Sequence, residues 1–352
     1  MEPIRIGIVG CGVIGGGAHL PAAAKSELVE VVAVADLLAA KRQAAAEKYG
    51  IATVYEQGAD LLRDERVEAV VLALPTGVRS PLALAALRLG KHVLTEKPVA
   101  MNAHQVRDMI ALRGDRVVGV CSARNVMYPS VKAAMECVAS GVLGQIRVVR
   151  SRAIVPAGAA PSSPPPAWRV SHALNGGGIL VNWGCYDLDY VMSVAGWGLK
   201  PTTVLAQTWP LGDHLAARVD PCSDADNHFI ALIRCAGGEM ISFERAEFAS
   251  ASTDEAWQIL GSHGSLSLWL HGGKGKSLRL DTSDAQTGTS SRVLWEGDDV
   301  GVDVTQAIQE AFARAIRLGG TCQTTLERAL IMQQITDAIY QSARSGQAVG
   351  ID

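Results

Sequence analysis

The sequence predicts an α/β chain: a doubly wound parallel sheet in its first third, then an α+β domain on an open-faced, largely antiparallel sheet. Three observations carry this. Gly10-Cys11-Gly12-Val13-Ile14-Gly15 lies between an apolar run, Ile4 to Val9, and a helix-like segment, Gly16 to Ser26. That strand–turn–helix setting is the one in which a G-x-G-x-x-G carries weight. Apolar strands and helical stretches then alternate to about residue 122, as parallel βαβ units do. Further on, strand-like runs follow one another around glycine pairs, as antiparallel neighbours do.

In the turn, Gly10 permits the tight bend and Gly12 lets backbone approach a pyrophosphate. Gly15 allows the helix to pack close on its strand. Amide groups of Val13, Ile14 and the following helix start would face the phosphates. A second apolar run, Val29 to Ala35, ends in Asp36, about 20 residues on, where an acid binds a ribose 2′-hydroxyl. Together these predict a dinucleotide-binding Rossmann domain. Leu37 to Tyr49 is Ala-rich and helical, with Gly50 as C-cap. Val67 to Leu74 is the next strand, closed by Pro75-Thr76-Gly77. Ser80 then caps a helix with Pro81 at its first position, and Gly90 ends it. His92 to Thr95 is a short strand leading into Glu96-Lys97-Pro98. Asn102 with Gln105 resembles a capping box, and Val117 to Cys121 is the last strand. The expected domains are 1–122, binding the dinucleotide, and 123–352, for substrate binding and oligomerisation.

The second part opens with a helix, Pro129 to Ser140, and a strand over 146–154. Val155 to Pro166 is Pro- and Ala-rich and reads as an extended loop. Residues 228–235 and 239–248 read as antiparallel strands around Gly237-Gly238. Residues 265–270 add another strand, with Gly272-Gly273 as its turn, and 303–318 and 325–344 are helical.

Composition narrows the class. The 352 residues, 48% hydrophobic, suffice for two cores. Net charge is −3 with no basic block, which argues against nucleic acid. No apolar run reaches the roughly 18 residues of a membrane span. The first strand begins by Ile4, leaving no room for a signal peptide. Seven scattered cysteines without C-x-x-C spacing read as reduced thiols of a cytoplasmic protein, not as a metal site.

GIVGCGVIG at 7–15, Asp36, GKHVLTEKP at 90–98, GGGILVNWGCYDLD at 176–189 and AIYQSARSGQAV at 338–349 carry a resemblance to the glucose-fructose oxidoreductase / inositol dehydrogenase (Gfo/Idh/MocA) family. The resemblance implies a pyridine-nucleotide domain, with Pro75, Thr76, Glu96 and Lys97 at the cofactor beside the glycine turn. It implies hydride transfer at a carbinol or ketone carbon of a sugar, inositol or related polyol, and a homodimer or homotetramer through the second sheet. It also implies a cis peptide before Pro98 that aims Lys97 into the cleft.

Lys97, at the carboxyl edge of the sheet, would stabilise charge on the substrate oxygen. Asn182, Tyr186 and Asp189 fall at i, i+4 and i+7, one face of a helix. The commonest family pattern has Asp and His where this chain has Asn182 and Tyr186. The change is coherent as a pair: an imidazole base benefits from a carboxylate that fixes its tautomer, whereas a phenol has no tautomer to fix. A Lys97 ammonium nearby would favour the phenolate. His172 is the alternative acid/base. Trp168 and Arg169 are expected in a sugar pocket or, equally, at an oligomer contact. Arg124 and Asp189 are further substrate candidates, and His19 is read as helix packing near the phosphates. Asp36 should repel a 2′-phosphate and favour NAD over NADP, a preference that Lys41 and Arg42 would soften. Two other readings compete: a glycoside-cleaving enzyme that retains its NAD, and a dinucleotide-sensing regulator without chemistry.

Overall fold

A computed structural model describes residues 1–159, 162–163, 165–252, 254–270 and 275–351. The chain forms two compact units. One comprises Met1–Arg124 with Asp303–Gln333; the other comprises Asn125–Val302 with the residues from Gln334 on.

In the first unit, β1 (Ile4–Val9), β2 (Val29–Ala35), β3 (Val54–Tyr55), β4 (Ala69–Leu72), β5 (His92–Thr95) and β6 (Val118–Val120) form a parallel sheet in the order β3-β2-β1-β4-β5-β6. This is the doubly wound order in which β1 and β4 flank the point where strand order reverses. Ile4, Ile6, Ile8 and all of β4 are buried, as expected of strands covered on both faces. The connecting helices are α1 (Leu20–Lys25), α2 (Ala39–Tyr49), α3 (Gly58–Leu61), α4 (Thr76–Arg88) and α5 (Ala103–Arg113). Gly50 does cap α2, at φ +67°, in the left-handed region that favours glycine. Asn102 caps α5 by accepting the Gln105 amide at 3.0 Å, while Gln105 reaches back to the Met101 amide at 3.0 Å.

The start of α4 corrects the expectation built on Ser80 and Pro81. The helix begins at Thr76 with Pro75 as its N-cap, and Pro81 lies inside it. Ser80 Oγ instead donates to the Thr76 carbonyl at 3.1 Å. Pro75 fixes φ at the entry and lacks only an amide that a helix start leaves unused, so the helix can start early.

The helix Val304–Leu318 belongs to this first unit. Its N-cap is Asp303, which accepts the Gln306 amide at 3.1 Å. Its apolar face, with Ile308, Phe312, Ala313 and Ala315 buried, packs on α1, β2 and β5. A single cut near residue 122 therefore does not describe the chain: an amphipathic stripe shows that a helix is covered but not which sheet covers it.

The second unit contains α6 (Pro129–Ala139), β7 (Ile146–Pro156), α7 (His172–Asn175), α8 (Cys185–Val194), β8 (Pro201–Trp209), β9 (His228–Cys235), β10 (Met240–Ala249), β11 (Asp254–Gly261), β12 (Gly264–Leu268), β13 (Lys276–Asp284), β14 (Gly288–Gly297) and β15 (Val349–Gly350). Its sheet runs β14-β13-β12-β11-β7-β10-β9-β8-β15. β7 and β10 pair in parallel; the other pairs are antiparallel. Gly272-Gly273 lies outside the described residues. Strands β8, β11, β13 and β14 were not expected from the sequence.

Phe229, Ala231, Ile233, Ile241 and Phe243 point into the core. The apolar side chains of β9 are therefore divided between the core and the other face of the sheet. Ile230 and Leu232 on β9, with Leu205 and Trp209 on β8, are the exposed ones, because successive residues of a strand face opposite ways. Among the described residues no helix is long and apolar enough to cross a membrane.

Candidate active site

Two clusters of candidate residues form, one in each unit. In the first, the glycine turn follows β1 and its geometry explains its glycines. Gly10 has φ +94°, and a Cβ there would lie 2.4 Å from the Ala73 carbonyl oxygen. A Cβ on Gly15 would meet the Gly10 oxygen at 1.7 Å, whereas one on Gly12 would find only Lys41 Nζ, at 3.9 Å. Backbone thus packs on backbone at Gly10 and Gly15, and open ground lies over Gly12. The segment after the turn is a π-helical turn, Gly15–His19, running into α1; such widened turns often occur at functional sites.

Asp36 braces the turn. Its Oδ2 accepts the Cys11 amide at 2.8 Å and its Oδ1 the Leu38 amide at 2.9 Å. Burial and the Asp36 charge push the Cys11 thiol up to about 11, so Cys11 stays a thiol. Arg42 does not face outward as a phosphate receptor: it donates to the carbonyls of Asp36 and Leu37 at 3.1 Å each and lies 3.6 Å from Glu56. Around this edge Val13 (88% exposed), Ile14, Leu37, Leu38 and Val78 leave apolar side chains uncovered. A ledge of open backbone, apolar side chains and one oriented carboxylate suits a dinucleotide, whose rings need apolar cover and whose pyrophosphate needs amides.

Pro75 and Thr76 open α4 beside this edge. Arg79, buried, donates to the carbonyls of Leu74 and Pro98 and, at 3.3 Å, to Thr76 Oγ1. It therefore ties the loop after β4 to the loop after β5. The Lys97–Pro98 peptide is cis. Glu96 is buried; its Oε1 lies 3.1 Å from His19 Nε2 and its Oε2 accepts the Lys97 amide at 3.2 Å. Burial opposes its ionisation, but the His19 hydrogen bond and the charges of Arg124 and Lys97 outweigh this and hold the carboxyl well below its usual range. Arg124 stands in the 3₁₀ turn Cys121–Met127, directly after β6.

In the second unit, Gly176-Gly177-Gly178 leads into a π-helical turn, Leu180–Gly184, and then α8. Asp226 caps this helix from far along the chain. Its carboxylate accepts the Gly178 amide at 2.9 Å and the Leu180 amide at 3.0 Å, and its carbonyl accepts the Ile179 amide at 2.8 Å. Tyr340 donates to Asp226 Oδ1 at 2.6 Å and also lies 3.3 Å from the Gly178 amide. Burial and the Asp226 charge push the Tyr340 phenol well above its ordinary range. A Cβ on Gly177 would meet Tyr340 Oη at 1.8 Å, and one on Gly178 would meet the Asp226 oxygen at 1.9 Å. The glycines are required by this close approach.

Asn182 lies in the widened turn, and Tyr186 and Asp189 lie in α8. Tyr186 is 2% exposed, its ring centroid 5.5 Å from that of Trp183. Asn182 accepts from Asn175 Nδ2 at 3.1 Å and donates to the Arg169 carbonyl at 2.6 Å, so it clamps segment 169–175 onto the helix. Asp189 is buried and accepts from Ser193 Oγ at 3.2 Å. His172 is exposed, with Tyr340 edge-on at 5.2 Å. Trp168 is partly exposed, and Arg169 pairs with Glu247 at 2.9 Å.

Sequence reasoning missed three partners here: Asp226, Tyr340 and Arg245. Arg245 pairs with Asp187 at 2.7 Å, both buried, and stacks 5.0 Å from the Trp183 ring. Trp257 Nε1 donates to the other Asp187 oxygen at 3.0 Å. Trp183, Arg245, Glu247 and Phe248 line a recess of about 380 Å³, and Phe248 holds φ +57°, a strained conformation for a side-chain-bearing residue.

Comparison with known proteins agrees with both units. Residues 4–120 match the oxidoreductase family with an NAD-binding Rossmann fold, and residues 131–267 match the GFO/IDH/MocA C-terminal domain. The dTDP-3,4-didehydro-2,6-dideoxy-alpha-D-glucose 3-reductase of Streptomyces violaceoruber is 29% identical over 359 residues, spanning 97% of this chain and 96% of its own. A Haloferax volcanii protein named D-xylose 1-dehydrogenase (NADP(+)) 2 is 28% identical over 356 residues, spanning 99% of this chain and 100% of its own. A solved levoglucosan dehydrogenase, in complex with NADH and L-sorbose, shares the fold with a TM-score of 0.84 at 22% identity over 100% of both chains. By the two domain matches and the site geometry together, the chain belongs to the Gfo/Idh/MocA family of oxidoreductases.

Proposed function

We propose that the chain transfers hydride between NAD and a carbinol or ketone carbon of a sugar, inositol or related polyol. The observation that carries this reading is the shared edge of the first sheet. There the glycine turn after β1, Asp36 after β2 and Lys97 after β5 stand at carboxyl ends of parallel strands, where such sheets bind ligands. The substrate class rests on the names of the relatives, which act on sugars.

When bound, the nicotinamide supplies the hydride acceptor or donor. Gly10, Gly12, Val13, Ile14 and Gly15 would hold its pyrophosphate, Asp36 its adenosine ribose, and Pro75, Thr76, Glu96 and Lys97 the nicotinamide half. Asp36 favours NAD over NADP, because its carboxylate is already aimed by two amides and would oppose a 2′-phosphate. Lys97 Nζ holds the charge developing on the substrate oxygen. Tyr186 Oη takes the hydroxyl proton in oxidation and returns it in reduction. Asn182 fixes the helix that carries Tyr186, while Trp168, Arg169, His172, Arg124 and Asp189 shape substrate binding. We further propose self-association through the sheet face bearing Leu205, Trp209, Ile230 and Leu232, since exposed apolar patches mark interfaces. The unbridged cysteines fit a reducing compartment, which we read as the cytoplasm.

The test is a panel of sugars, inositols and polyols with NAD and NADP, followed by the absorbance of the reduced cofactor. Turnover of at least one member with NAD is expected. A protein that binds NADH yet turns over no member would favour the regulator reading instead.

A further inference from the structure

His19 has a second set of contacts that packing alone does not explain. Gln309 Nε2, from the helix Val304–Leu318, lies 3.0 Å from His19 Nδ1 and 3.1 Å from the His19 carbonyl oxygen. A carbonyl oxygen only accepts, so the Gln309 atom facing it is the amide nitrogen, a donor. His19 Nδ1 must then accept, and the imidazole proton sits on Nε2, where it is donated to Glu96 Oε1 at 3.1 Å. All three residues are buried. Cys121 also lies within 4.8 Å of this group, but both imidazole nitrogens are taken by hydrogen bonds, so the cluster reads as a network and not as a metal site.

We propose that His19 is a positioning residue for Lys97. Gln309 locks the imidazole in its Nε2–H form. His19 then holds the Glu96 carboxylate ionised in a buried place, and Glu96 Oε2 holds the Lys97 backbone amide. A buried carboxylate that loses a donor pays the full desolvation penalty unless it takes up a proton. Without His19 the carboxyl therefore protonates and its grip on the Lys97 amide weakens, because a neutral acceptor forms the weaker bond. His19 is buried and acts through Glu96. It joins the helix after the glycine turn to the loop carrying Lys97. The catalytic part of this proposal rests on the function proposed above; the hydrogen-bond part does not.

The experiment uses the full chain with His19→Leu, His19→Gln and Gln309→Leu. Infrared difference spectra need no substrate: His19→Leu should show a protonated buried carboxylic acid that is lost in His19→Leu with Glu96→Gln, while wild type should lack it. With whichever sugar is turned over, His19→Leu should lower kcat about 10- to 100-fold, the scale of a misplaced catalytic group. KM and NADH affinity should stay within about twofold of wild type. His19→Gln, which keeps an amide donor, should recover most of kcat and remove the acid band. Gln309→Leu, the gentler change, should lower kcat about 3- to 10-fold, a smaller part of the same misplacement. If His19→Leu folds without the acid band, Glu96 does not depend on His19 and the proposal is overturned. It is overturned equally if kcat is kept, or if NADH affinity falls as far as kcat does. Should His19→Leu fail to fold, Gln309→Leu decides on the same two readouts. If no sugar is turned over, the functional reading fails separately and the infrared arm decides the network.

Discussion

Asp36 Oδ2 accepts the backbone amide of Cys11 at 2.8 Å, so the acid that follows β2 is fastened to the turn that follows β1. The carboxylate is thereby aimed before any ligand arrives. Asp36→Ser should lose that aim and its charge. A hydrogen bond to a charged group contributes about 1.5–3 kcal/mol, so NAD affinity should fall roughly 10- to 100-fold while NADP affinity falls less or rises. Calorimetry with both cofactors checks this. Tighter NADP than NAD binding by wild type would contradict the assignment at once.

Tyr186→Phe keeps the ring beside Trp183 and removes only the hydroxyl. Turnover should fall by about 10² to 10⁴, the usual cost of losing a general base. Lys97→Ala should lose about 10² to 10³, and under the proposed function, in which both residues act on the substrate oxygen, the double variant should resemble the worse single one. Tyr186→Phe should keep NADH binding. Near-normal turnover by Tyr186→Phe would move the acid/base role to His172, the exposed candidate.

The close approach at the triple glycine sets a stability test. A methyl on Gly178 would lie 1.9 Å from the Asp226 oxygen, so Gly178→Ala should destabilise by about 3 kcal/mol, the upper range for overpacking. Gly17 has no neighbour within 4 Å of a Cβ, and Gly17→Ala should be neutral or stabilise by up to about 1 kcal/mol. Urea denaturation of the two variants separates the outcomes.

Glu68 makes part of the stability pH-dependent. Burial raises its pKa, but hydrogen bonds from Arg317 and Arg5 outweigh that and hold it at about 2. An unfolded glutamate titrates near 4.3, so the folded state gains from the ionised form. That gain is complete above about pH 4.5 and is lost as pH falls toward 2. Arg317 donates to both Glu68 oxygens, at 3.0 and 3.2 Å. Arg317→Met should cost about 1 kcal/mol at pH 7, allowing for partial exposure. It should also flatten the loss of stability between pH 4.5 and pH 3 in urea melts; an unchanged acid limb would contradict this.

Light scattering at micromolar concentration should give a dimer or tetramer, and Leu232→Glu should shift it toward monomer. A clean monomer mass for wild type would refute association through the β8–β9 face.

What the sequence made legible was local. The glycine turn, Asp36, the Glu96-Lys97-Pro98 loop and the caps at Gly50 and Asn102 rest on backbone rules that act over a few residues. Pro81 misled because proline fits the first turn of a helix so well, and Pro75, six residues earlier, already opens the longer helix from its N-cap. β13 and β14 escaped because polar residues interrupt both faces of the hairpin: Thr282 pairs with Ser290 on the face that bears Leu278 and Leu280, and Asp281 pairs with Ser291 on the other. Asp226, Tyr340, Arg245 and Gln309 escaped for another reason. Each acts on a partner 48 or more residues away, and periodicity carries no information about such pairings.

The return of Asp303–Gln333 to the first unit has a consequence for biosynthesis. The strands of the first sheet are synthesised well before the helix Val304–Leu318 that covers part of them. At about 5–20 residues per second, the helix bearing Gln309 follows the glycine turn by tens of seconds. During that interval His19 and Glu96 stand without their third partner, and the faces of α1, β2 and β5 that this helix covers remain open. Chaperone engagement should therefore fall within that interval and cofactor capture after it, and a fragment ending at residue 122 should not behave as an autonomous nucleotide-binding domain.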